Sequence, residues 1–164
     1  MKPLVPNELL SEIARGNCVA FVGSGPSIAA GLPSWPKLLN LMVNWCVSNG
    51  IALPNQSDIQ HLIDTGRLLI AAQALRANMG DGEYFRFLRE IFDKPTAPLT
   101  DFHRLLSQIP FGGAATSNYE TLVERGFKEA RPSESIPVFA QTDYAQLGLA
   151  LNSKEFFVLK AIQR

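Results

Sequence analysis

The spacing of hydrophobic positions changes along the chain, and the change predicts alternating helices and strands. Leu9, Leu10 and Ile13 make one apolar stripe, so Pro6–Arg15 reads as a short amphipathic helix with Asn7 as N-cap and Gly16-Asn17 as its stop. Cys18-Val19-Ala20-Phe21-Val22 is wholly apolar, the pattern of a strand buried on both faces of a parallel sheet. Gly23-Ser24-Gly25-Pro26-Ser27 follows at once, then Ile28-Ala29-Ala30, one turn of helix closed by Gly31. From Ser34, a good N-cap with Pro36 in the first turn, Leu38, Leu39, Leu41, Met42, Trp45 and Cys46 recur at helical spacing to Val47, and Asn49-Gly50 ends the run.

After a linker over 51–55, helices are predicted over 57–64 and 67–78, broken by Thr65-Gly66. Gly80–Glu83 reads as a turn before a helix carrying Tyr84, Phe85, Phe87, Leu88, Ile91 and Phe92. Lys94–Leu99 holds two prolines and reads as a loop, and Thr100 caps a helix over 101–108. Gly112–Thr116 is a small-residue strand, followed by a helix over 119–130. Strand candidates over 136–139 and 156–160 flank a helix over 143–151. The order implies an α/β, Rossmann-like parallel sheet with right-handed crossovers. Four helical segments between the first two strands are too many for one plain crossover, so a small helical insert, about 51–99, is expected within a single domain spanning 1–164.

Composition narrows the class. The 164 residues are 46% hydrophobic and 18% charged, enough apolar material for one packed core. Net charge is zero and no Lys/Arg tract stands out, so neither direct nucleic-acid binding nor a membrane-surface role is expected. Met1–Glu8 carries one Lys and two Pro with no apolar stretch behind it, and no run of about 18 apolar residues occurs, so neither a signal peptide nor a membrane span is expected. Cys18 and Cys46 lie far apart beside apolar residues, as buried thiols in a reducing compartment do, and no CxxC suggests a metal. A cytoplasmic protein without a metal is expected.

Two polar clusters follow predicted strands. In the first, Gly23 and Gly25 let main chain approach an anion, helix-start N–H groups and dipole favour its charge, and Ser24 and Ser27 add hydroxyl donors. It lacks the Lys of a P-loop and the third glycine of a dehydrogenase fingerprint. Taken alone it reads first as an ordinary strand-to-helix turn. In the second, Thr116-Ser117-Asn118-Tyr119-Glu120 stands at the C-terminal end of a strand, where ligands bind in open α/β sheets. Asn118 suits a ribose hydroxyl, a carboxamide or a water, but it equally suits capping of the next helix. His103, among Phe102, Leu105 and Leu106, reads as a partly buried structural residue, and His61 as a solvent-facing one.

The string Gly23-Ser-Gly-Pro-Ser-Ile-Ala-Ala-Gly-Leu-Pro-Ser-Trp35 resembles the first signature of the sirtuin superfamily, with Gly23, Gly25, Ser27, Gly31 and Pro33 on its fixed positions. Thr116-Ser117-Asn118-Tyr119-Glu120 resembles the second, which reads Thr-Gln-Asn-Ile-Asp in sirtuins and often Thr-Thr-Asn-(Tyr/Phe)-Asp in the bacterial sirtuin-like NAD hydrolases of phage defence. Leu-Pro-Ser-Trp is similar to that defence branch. Deacylases usually continue instead with an acidic residue, Phe and Arg, where Ser34, Trp35 and Pro36 stand here. Asp101-Phe102-His103 resembles a further family feature, a His on the helix before this strand.

The resemblance implies NAD, as substrate or ligand, held by Gly23, Ser24, Gly25, Ser27, Gly31, Thr116, Asn118 and Glu120, with Asn118 as the catalytic residue that positions the ribose or the attacking water. Glu120 replaces the usual Asp and reaches about 1.5 Å further. The family's general base is a His after the last strand named above. Ile162 stands at about that position and no His follows. The resemblance covers about the first half of a domain of this family, so the expected fold is truncated at the C-terminus, with self-association or a fused or partner effector domain to cover it. Three readings stand: a bacterial antiviral NAD glycohydrolase, a module that binds NAD or ADP-ribose without cleaving it, and a degenerate structural relative.

Overall fold

A computed structural model describes residues 5–161. In chain order its elements begin with α1 (Asn7–Ala14), β1 (Val19–Val22) and α2 (Gly25–Ala29). Three helices follow, α3 (Trp35–Ser48), α4 (Gln56–Asp64) and α5 (Leu68–Phe92). The remainder is α6 (Asp101–Leu106), β2 (Gly113–Thr116), α7 (Leu122–Ala130), β3 (Val138–Ala140), α8 (Tyr144–Ser153) and β4 (Phe157–Lys160). Ile162 and the residues before Val5 lie outside the described residues.

The chain divides into two compact units. One comprises the residues up to Ala30 and those from Pro95 onward, and the other Gly31–Lys94. The first holds a four-stranded sheet in the order β1-β2-β4-β3, every pair parallel. This is the α/β, Rossmann-like class that the helix–strand alternation implies. The register sets Val22, Thr116, Lys160 and Ala140 side by side at the carboxyl end of the sheet. Because side chains alternate along a strand, these residues share a face with Ala20, Ala114 and Val158. On that face Ala20, Val22, Ala114 and Val158 form a core with Leu106 of α6 and with Val123 and Phe127 of α7. Close approach is built in at two glycines. A Cβ on Gly112 would stand 2.1 Å from the Gly16 carbonyl, and one on Gly126 3.1 Å from the His103 carbonyl, where α7 meets α6.

The second unit is helical. Leu38, Leu39, Met42, Val43 and Cys46 are the buried stripe of α3, Ile59 and Ile63 that of α4, and Ala71, Leu75, Met79, Phe87 and Leu88 that of α5. Trp45 meets Phe87 edge-on at 5.6 Å, and Arg86 lies over the Trp45 ring at 5.2 Å.

Several expectations need correction. Strand β1 is not buried on both faces: Val19 and Phe21 are 48% and 72% exposed, because the packed core of α6 and α7 lies on its Ala20/Val22 side. The stripe of α1 buries no residue, and Pro6, not Asn7, holds the cap position: its ψ of 139° is extended, and the helix begins at Asn7. Ser34 stands at the N-cap of α3 but makes no side-chain cap bond. The turn expected at Gly80–Glu83 shrinks to one residue: Gly80 alone leaves helical geometry (φ 71°, ψ 161°), a conformation open to glycine, and α5 resumes beyond it. Helix α6 ends at Leu106 rather than residue 108, and α7 begins at Leu122 rather than Tyr119. Cys46 is buried, Cys18 only half-buried, and neither forms a disulfide.

Candidate functional site

The carboxyl ends of β1 and β2 are laced together by side chains from both polar clusters. The Thr116 hydroxyl donates to the Val22 carbonyl at 2.8 Å, tying one strand end to the next. The same oxygen accepts the Asn118 amide at 3.1 Å, which turns the chain sharply after β2. Asn118, 7% exposed, then donates through Nδ2 to the Gly23 carbonyl at 2.9 Å and to Ser27 Oγ at 3.0 Å. A main-chain carbonyl only accepts, so Gly23 itself fixes which way the amide faces. Both Nδ2 protons are therefore used within the chain. Oδ1 is the amide's remaining polar atom, and it takes no bond among the described residues.

Ser27 passes the chain of bonds on. Its hydroxyl, accepting from Asn118, donates to Glu120 Oε1 at 2.5 Å, while Glu120 Oε2 accepts the Leu122 amide at 2.5 Å. Both residues are buried. Thr121 holds the N-cap position of α7, and Glu120, not Asn118, bonds the first amide of that helix, its carboxylate at the helix's positive end.

The glycine loop itself is open. Gly23, Ser24 and Gly25 are exposed, and no hydrogen bond among the described residues engages the amides of Ser24, Gly25 or Ser27. Neither Gly23 nor Gly25 has a positive φ, and a Cβ built on either meets nothing within 4 Å. Nothing in the described chain demands glycine at these two positions. What glycine leaves there is room for a group outside the chain to approach the main chain. The expected site residues Gly23, Ser24, Gly25, Ser27, Thr116, Asn118 and Glu120 therefore lie together in one unit. Gly31 opens the other unit, with a φ of 90° that closes the turn after α2.

Two participants escaped the sequence reading. Lys160, at the end of β4 and only 3% exposed, donates from Nζ to the Asn118 carbonyl at 3.1 Å and to the Glu120 carbonyl, and pairs with Glu124 of α7 at 2.9 Å. The available signal was a lysine ending the apolar run Phe156–Leu159, where burial demands a partner. Glu124 Oε2 is buried without a hydrogen-bond partner among the described residues.

His103 is buried beside this network. It completes a capping box with Thr100, whose main-chain N–H donates to Nδ1 at 3.2 Å. With Nδ1 accepting, the neutral ring carries its proton on Nε2, which is buried without a partner. Burial holds its pKa below the ordinary value of 6.5. The Glu120 charge works against that shift, and Arg125 and Arg104 add to it. Among the described residues, no cluster of three His, Cys, Asp or Glu side chains could hold a metal, and no helix is long and apolar enough to cross a membrane.

The chain is similar to proteins named NAD(+) hydrolase ThsA. It is 25% identical to that of Enterococcus faecium over 97% of this chain and 30% of the relative. The Bacillus cereus (strain MSX-D12) protein is 25% identical over 79% of this chain and 25% of its own length. The Cytobacillus dafuensis protein is likewise 25% identical, over 89% and 27%. The chain thus spans less than a third of the relatives it matches. No protein-family model matches it.

Proposed function

We propose that this chain is the NAD-binding part of a sirtuin-like NAD(+) glycohydrolase of bacterial antiviral defence. One observation carries the reading: among the described residues, exposed glycines with no steric duty, and free amides beside them, stand next to an asparagine whose one unengaged polar atom is an acceptor. The names of the similar proteins support NAD as the molecule that fits. Its pyrophosphate would take the Ser24, Gly25 and Ser27 amides and the free Ser24 hydroxyl.

The reaction breaks the bond between nicotinamide and the ribose C1′. The electron pair leaves on the ring nitrogen, which becomes neutral, so no acid is needed at the leaving group. A water oxygen bonds C1′ and releases one proton. In this chain Asn118 Oδ1 would accept a hydrogen bond from that water or from a ribose hydroxyl, held in place by the two bonds of Nδ2. Remote binding of the pyrophosphate would help to hold the reacting ribose in a strained, cation-like state. Glu120 then acts through Ser27 and Asn118, because both of its oxygens are engaged.

Turnover of NAD by the full-length parent protein tests the reading. Asn118→Ala is expected to lower kcat by roughly 10²–10³-fold, the effect of losing one oriented polar group in a reacting site. Equal turnover by both proteins would remove Asn118 from the mechanism. Engagement of both Glu120 oxygens favours a second reading, in which NAD or ADP-ribose binds without cleavage. Calorimetric binding with no nicotinamide released over hours would select it. A cytoplasmic setting belongs with either reading and is supported by the two free thiols. Self-association or an effector domain belongs there too, supported by the uncovered Val19 and Phe21.

A further inference from the structure

We infer that Lys160 is a positioning residue for this site: its buried ammonium holds the main chain of residues 118–120 against β4 and so fixes where Asn118 Oδ1 stands. The inference rests on the NAD-cleavage reading for its kinetic readout. Its basis is the geometry of the ammonium group.

An ammonium has three protons and no acceptor. Here all three have oxygen partners: the carbonyls of Asn118 and Glu120, and Glu124 Oε1. Two of those three are main-chain groups of the loop that carries the site. Glu124 balances the charge from the first turn of α7, the helix whose first amide Glu120 bonds. The register explains why the lysine stands there. Lys160 is paired with Thr116, and the Ala161 amide donates to the Thr116 carbonyl at 2.8 Å, so β4 runs alongside the end of β2 as the loop departs.

The loop is therefore held from two sides. Ser27 and the Gly23 carbonyl hold the Asn118 side chain, and Lys160 holds the main chain on either side of Tyr119. An apolar residue would fill the Lys160 slot but leave two carbonyls without donors. The chain would be free to relax toward water, and Oδ1 would move with it.

The single variant Lys160→Met strands Glu124 in the interior and is expected to lose stability, so it cannot by itself separate anchoring from folding. The double variant Lys160→Met/Glu124→Met removes both charges, and such apolar replacement of a buried pair commonly restores stability. If Lys160 positions the site, the double variant of the full-length parent regains most of the stability lost in Lys160→Met yet keeps a kcat roughly 10²-fold down, with KM within about two-fold. Recovery of kcat along with stability would overturn the inference. A double variant that stays unfolded moves the test to Glu124→Gln, which keeps an oxygen for Nζ and is expected to retain kcat. Loss of kcat in a folded Glu124→Gln would also overturn it.

If the wild type leaves NAD intact, the cleavage reading fails and the anchoring is read by NMR. The two Asn118 side-chain amide protons are expected to exchange slowly with solvent in the wild type and fast in the double variant. Identical spectra would refute the anchoring on their own.

Discussion

Asn118 and His103 show how much of a residue's role depends on its partners. Asparagine offers two donors and an acceptor, and both ligand binding and helix capping were open to this one in the sequence. Only the bonds to Gly23 and Ser27 reduce it to an acceptor. His103 was legible as structural from its apolar neighbours, but its protonation behaviour was not. Its folded pKa lies below 6.5, so the unfolded chain binds more protons than the folded one as pH falls through the ordinary histidine range. The stability due to neutral His103 is therefore complete above about pH 6.5 and is lost as pH drops toward the lower folded value. Thermal melts from pH 8 to 5 are expected to show a fall in Tm that is shallower in His103→Gln, once that variant's own offset at pH 8 is subtracted. Parallel curves would mean that His103 does not titrate in this window.

At the scale of elements, glycines separate structural from functional duty. Gly112 has the Gly16 carbonyl 2.1 Å from where its Cβ would be, so Gly112→Ala must push main chain apart and is expected to cost about 1–3 kcal/mol in a denaturant melt. Gly25 opens a helix with open space around it, so Gly25→Ala is expected to leave stability unchanged or raise it by about 0.5–1 kcal/mol. The same change, with Gly23→Ala, is expected to weaken NAD affinity, because the added methyl stands where the pyrophosphate would approach. Calorimetry on these folded variants checks it, and unchanged affinity would place the ligand elsewhere. Element type was largely legible from hydrophobic spacing, because apolar periodicity reflects which face is packed. Ends were less so. The start of α7 shifted from Tyr119 to Leu122, with Thr121 at the N-cap position and Glu120 outside the helix, one carboxylate oxygen on the Leu122 amide and the other on Ser27 from far along the chain.

Over the whole molecule, the uneven cover of the sheet is the main departure from the pattern. Phe21 and Val19 are exposed on the side of β1 away from the core, although their run is as apolar as a central strand. The folded chain is expected to bind an apolar-surface dye, with Phe21→Ser lowering the fluorescence and leaving Tm near the wild type. A large fall in Tm instead would show that Phe21 is packed. Local chemistry by itself determined the α/β alternation, the glycine loop after the first strand and the Thr-x-Asn cluster after the second, since each depends on neighbours within a few residues. Which strands are edges, that Glu120 rather than Asn118 bonds the first amide of α7, and that Lys160 grips the site loop were decided only by tertiary structure. Each of these depends on partners distant in sequence, and a buried charge declares its purpose only when the groups that neutralise it are brought beside it.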